Sequence, residues 1–107
     1  MATHELKTRT PWFNRVASGE KRAEIRKHDR DFQVGDLLRL VEVDQNGYRR
    51  TTWVPEGRDD RGRFTAGYSR EHVQTARITH VLPAAQADGI SDGYCLLSIE
   101  LVEGGAA

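Results

Sequence analysis

The sequence predicts an α+β fold that is mainly β, a small closed or nearly closed barrel of five or six strands with one short N-terminal helix. Three observations carry this expectation. Residues 22–26, Arg-Ala-Glu-Ile-Arg, alternate strictly between polar and apolar, which is the period of a strand. Segments 37–43, 73–82 and 94–102 are longer apolar or alternating runs bounded by turn residues. One stretch near the start, 10–17, spaces its apolar residues as a helix does. A chain of 107 residues suits one domain, 1–107, and a small, closed or nearly closed β-barrel with a helix plugging one end buries a single core economically.

Taken in order, His4 to Thr8 is expected to be a short first strand. Thr10-Pro11 reads as an N-cap followed by proline at the first helical position. Trp12, Phe13, Val16 and Ala17 then form an apolar stripe, and Gly19 supplies a left-handed stop. In the strand Arg22 to Arg26, Ala23 and Ile25 are expected to face the core, with Arg22, Glu24 and Arg26 on the other face. Residues 28–33 form a charged connection holding one buried aromatic, Phe32. Val34-Gly35-Asp36 turns into the strand Leu37 to Val43, which is too apolar to be half-exposed throughout.

Asn46-Gly47 is a hairpin signal, so Tyr48 to Val54 is expected to pair back as the next strand. Pro55 to Arg70, rich in Gly, Arg and Asp, reads as a mobile loop. Val73 to Leu82 is a long strand with Ala76, Ile78 and Leu82 on one face. Pro83 to Gly93 is a loop with room for one helical turn. Tyr94 to Val102 closes the fold with Cys95, Leu97, Ile99 and Leu101 inward, and the tail 104–107 is expected to be disordered.

Composition excludes several function classes. The net charge is zero, which argues against coating nucleic acid by bulk charge. The distribution is uneven, because residues 1–50 carry eleven Lys/Arg against eight Asp/Glu and the remainder five against eight. No apolar run approaches the roughly 20 residues of a membrane span. The start MATHELKTRT is polar, so no signal peptide is expected, and the single Cys95 fits a reducing, cytoplasmic setting. His4, His28, His72 and His80 lack a short ligand spacing, so no metal and no cofactor are expected. Phosphate-cradling glycine motifs and nucleophile elbows are absent from the sequence.

The densest information lies in one run from Ser18 to Asp36. Within it, Gly19-Glu20-Lys21-Arg22-Ala23-Glu24-Ile25-Arg26 fits G-x-K-x-x-E-x-R. That pattern resembles the signature of ASCH domains in the PUA-like superfamily. His4-Glu5-Leu6-Lys7, the segment Arg26 to Asp36 and Gly93-Tyr94 extend the likeness to a small bacterial and phage ASCH-like family of unknown function. It is dense from His4 to Val43 and thinner afterwards, and no motif anchors Tyr48 to His72. The resemblance implies a PUA-like barrel with a cleft between helix and barrel, lined by Lys21, Glu24 and Arg26. It implies RNA or nucleotide binding, since ASCH domains are mostly proposed to bind RNA.

Some ASCH relatives deacylate a modified cytidine nucleoside, and others are reported to cleave RNA. In the deacylating relatives a lysine placed like Lys21 assists a threonine three residues later, and here that position is Glu24. The catalytic candidates are therefore Lys21 and Glu24 activating water, an alternative hydrolase reading. The candidate RNA-binding residues are Lys7, Trp12, Lys21, Glu24, Arg26, Lys27 and Arg30. Arginine forks onto phosphate, lysine supplies a point charge, a carboxylate accepts from an exocyclic amine and Trp12 stacks a base. The plain alternative is a cross-strand ion-pair cluster. A third reading is a protein-interaction module with no cleft ligand.

Overall fold

The computed structural model describes residues 1–102, so the expected frayed tail at 104–107 lies outside the described residues. The fold is α+β and mainly β, with one helix and a curled, five-stranded half-barrel. Strand β1 (Thr3–Arg9) leads into helix α1 (Thr10–Ala17). Then come β2 (Ala23–Lys27), β3 (Leu37–Val43), β4 (Thr51–Arg58), β5 (Phe64–Glu71), β6 (Val73–Pro83), one 3-10 turn (Ala84–Gln86) and β7 (Tyr94–Leu101). The main sheet has the order β1-β3-β6-β7-β2, and β1 pairs with β3 in parallel while the other pairs are antiparallel. Both β1 and β2, neighbours in sequence, are therefore the two edges of the curled sheet.

The core fills the hollow of that sheet. Leu6, Leu38, Leu40, Ala76, Ile78, Cys95, Leu97 and Ile99 point into it, and Val16 of α1 and Phe32 cover it. Helix α1 is short because Pro11 pre-sets its first turn and Gly19, at φ 81°, ends it. Burial pushes the Cys95 thiol above its ordinary value, and the Asp29 charge adds to this. That is the chemistry of an inert core thiol.

Several expectations are corrected. Thr10 is the first residue of the helix and Arg9 occupies the cap position without a side-chain cap. The Thr10 hydroxyl lies 3.4 Å from the Val43 carbonyl. Strand β2 is inverted relative to its alternation: Glu24 is 5% exposed and Ile25 is 60% exposed. Register fixes this, because Glu24 lies opposite Leu97 and Arg26 opposite Cys95, and antiparallel partners share a face. Leu82 does not continue the Ile78 face. A register shift between Ile78 and His80 reverses the parity, so Val81 packs on the core opposite Leu97. Leu101, at the end of β7, is exposed rather than inward.

The larger correction concerns residues 48–71. Only an isolated bridge, Val43 to Arg49, pairs this segment back on β3. The chain then leaves the barrel, and β4 and β5 pair with each other as a separate two-stranded sheet. The stretch read as a loop is an arm, with its turn braced by Asp59, which accepts from the Arg61 and Arg63 amides at 2.9 Å. The molecule measures 64 × 28 × 24 Å with a radius of gyration of 17.2 Å. A compact domain of this length would have about 13 Å.

Candidate nucleic-acid interface

The two edge strands are joined by side chains. Arg26 of β2 donates from Nη1 to the Lys7 carbonyl and from Nη2 to Thr8 Oγ1, both on β1 and both at 2.9 Å. Arg30 repeats the contact one pleat along, from Nη1 to the Glu5 carbonyl at 3.2 Å. Outward carbonyls of an edge strand need donors, and here guanidinium groups supply them in place of a backbone ladder. The Arg26 Nε reaches Glu24 Oε2 at 3.2 Å, and Lys21 Nζ reaches Glu24 Oε1 at 2.8 Å. Glu24 is thus a buried carboxylate with a cation on each oxygen. This explains the inverted strand: the charged face of β2 turns inward because its charges neutralise each other and close the seam.

The candidate residues fall on two neighbouring depressions. Trp12, Lys21 and Glu24 line one of about 390 Å³, together with Ala23, Ile25 and Leu96. Lys7, Arg26, Lys27 and Arg30 line another of about 360 Å³, with Glu5, Leu6, Asp29 and Arg49. Its walls carry five cations against two acids on a chain with no net charge. Lys7 contributes its carbonyl to the seam, and its exposed side chain lies on the face opposite the buried Thr8. Trp12 is exposed under the Arg15 guanidinium, 5.1 Å from the ring centroid, whereas Phe13 is core.

Three clusters escaped the sequence reading. Arg39 and Arg49 each bind both Glu5 and Glu71, a four-membered network tying β1, β3 and the root of the arm. Hydrogen bonds from these arginines hold both carboxyls below the usual range. Asp36 accepts from the Ala2 amide at 3.0 Å, from His4 Nε2 at 2.8 Å and from the Gln33 amide at 3.0 Å. The Ala2 bond, then the His4 bond, lower its pKa to about 2. His4 also meets the Phe32 ring edge-on at 4.8 Å, the structural role of a strand-end side chain.

The third cluster roots the arm. Glu42, buried on β3, lies 2.5 Å from His72 Nδ1, and His72 Nε2 lies 2.6 Å from Thr52 Oγ1. A carboxylate accepts, so Nδ1 carries the proton and donates to Glu42, and Nε2 faces the Thr52 hydroxyl. Burial raises the Glu42 pKa, but hydrogen bonds from Thr10 and His72 with the nearby Arg50 charge outweigh it, and the net shift is downward. No residue spacing announces this contact, since its members lie on β3, β4 and the β5–β6 junction.

Residues 3–99 match a family described as Domain of unknown function (DUF3850). The chain belongs to that family. It is also similar to an uncharacterized 12.9 kDa protein in the GpA 3'region of Escherichia phage P2, 49% identical over 39 residues. That match covers 36% of this chain and 36% of the phage protein. Nearly the whole described DUF3850 fold, seam and arm included, lies within the matched region. Among its described residues no helix is long and apolar enough to cross a membrane.

Proposed function

We propose that this DUF3850 chain is an ASCH-like, PUA-like domain that binds RNA or a nucleotide, and that the seam between β1 and β2 is its anion-binding face. The observation that carries this reading is the surplus of cations around the seam depression: Lys7, Arg26, Lys27, Arg30 and Arg49 against Glu5 and Asp29. Phosphate is the polyanion that such a concentration suits, and neutral overall charge keeps the attraction local. Arg26 uses three of its five N–H donors on the fold, so the seam pre-orients the guanidinium while leaving donors for a phosphate. Glu24 supports this face as an anchor for Lys21 and Arg26, and Trp12 supplies an adjoining aromatic surface.

The direct test is fluorescence anisotropy with a labelled single-stranded RNA across a salt series. Lys7→Ala and Lys27→Ala should each lower the slope of log K against log salt by about 0.7, the value for one phosphate contact on a single strand. Unchanged slopes in both variants would rule out the seam as the phosphate-binding face.

A second reading, a hydrolase of modified nucleosides or RNA, is favoured by the Thr52–His72–Glu42 chain. Its hydroxyl, imidazole and carboxylate stand in the order of a nucleophile, its base and the group that orients the base. Turnover of an acylated nucleoside, abolished in Thr52→Val, would favour this reading.

A further inference from the structure

The arm carries an aromatic residue built into an exposed position. Trp53 on β4 is 59% exposed, yet it is not loosely placed. Its indole occupies the space where residue 67 of the facing strand would carry a side chain. A Cβ at Gly67 would stand 2.4 Å from Trp53 Cζ2 and 2.7 Å from Cε2. The glycine backbone thus supports one part of the ring, and more than half of the residue remains open to water.

The position of this ring relative to the seam gives it meaning. Trp53 lies opposite Ser69 and Thr51 opposite Glu71, so Trp53 and Glu71 share a face of the arm. Glu71 holds Arg39 and Arg49, and Arg49 also lines the seam depression. The exposed ring and the cationic depression are therefore two ends of one surface, joined by paired charges.

We infer that Trp53 is a base-stacking platform for single-stranded RNA whose phosphates cross the seam at Lys7, Lys27 and Arg30. The inference rests on the RNA-binding reading and names the class of RNA. A base must be unstacked to lie on a ring, which single strands permit, whereas the deep, narrow groove of an RNA duplex keeps its bases from such contact. The surplus of cations at the seam end of this surface favours a polyanion as the occupant, and the supported ring suits its bases.

The test uses the full chain and a single-stranded oligoadenylate of about ten nucleotides, chosen because purines stack well. The two tryptophan indole N–H signals are followed by NMR and assigned with Trp53→Phe. The Trp53 signal should shift together with the Lys7 and Lys27 amides. Trp53→Leu, which keeps apolar volume without a ring, should weaken binding by about 5- to 150-fold, while Trp53→Phe stays within a few-fold of wild type. If the seam amides shift but the Trp53 signal is still and Trp53→Leu binds normally, the platform is wrong and the RNA reading stands. If neither the seam nor Trp53 responds to RNA, both are wrong.

Discussion

Arg26 on one edge of the half-barrel donates to Thr8 on the other edge at 2.9 Å, and the same guanidinium holds the buried Glu24. One side chain therefore closes the sheet and balances its inward acid. Arg26→Ala leaves the Lys7 carbonyl and the Thr8 hydroxyl without this donor and Glu24 with Lys21 alone. The expected loss is about 2–3 kcal/mol, below the cost of breaking a fully buried pair because Arg26 is partly exposed. Urea unfolding of Arg26→Ala, Glu24→Gln and the double variant measures it, and the two changes should be non-additive. Lysine at 26 should not restore stability, since a single ammonium cannot replace the fork.

The inversion of β2 has its own consequence. Ile25 faces water, so Ile25→Ser should alter stability by no more than about 0.5 kcal/mol. Leu97→Ala, on the buried side of the neighbouring strand, should cost about 2–5 kcal/mol. Thermal or urea unfolding of the two variants decides it. A large loss at Ile25 would contradict the observed register.

Asp36 gives the stability an acid limb. Its carboxyl has a pKa of about 2 in the fold against an ordinary 3.8. This is a depressed carboxylate, so its stabilising contribution is complete above the unfolded value and is lost as pH falls from about 4 towards 2. Stability should rise with pH across that window, and Asp36→Asn should flatten the rise. Glu5 and Glu71 are shifted in the same direction and add to the limb from its upper end. Unfolding midpoints measured from pH 2 to 6 test this, and an unchanged slope in Asp36→Asn would remove Asp36 from the account.

The arm should loosen independently of the barrel. Its root depends on the Glu42–His72–Thr52 contacts, and a two-stranded sheet has little stability of its own. Glu42→Gln or His72→Ala should speed amide hydrogen exchange at β4 and β5 by an order of magnitude or more. Leu38, Leu40 and Leu97 in the barrel should be far less affected. Equal acceleration everywhere would mean that arm and barrel unfold as one unit.

The barrel was legible in the sequence because its signals are local. Leu37 to Val43, the Gly19 stop and the alternation of Cys95, Leu97 and Ile99 each follow from neighbouring residues. The inward face of β2 was not legible, since alternation shows two faces and not which is buried. Ala23 and Ile25 were the apolar set, yet Glu24 and Arg26 face the core because partners at Lys21, Lys7 and Thr8 satisfy them. The arm was missed for a related reason. Its glycines and charges look like loop composition, but Gly67 makes room for Trp53 and the Asp59 turn closes a hairpin. Of the candidate site, Lys7, Arg26, Lys27 and Arg30 share one depression, and Arg49 joins them from beyond the region where the motifs are dense.

The most direct measurement of the central claim is a two-dimensional amide NMR titration of the labelled chain with short single-stranded RNAs of mixed sequence. Shifts concentrated at Lys7, at Arg26 to Arg30 and at Arg49, weakening with added salt, are the expected result. An unchanged spectrum at near-millimolar RNA would contradict RNA binding at the seam.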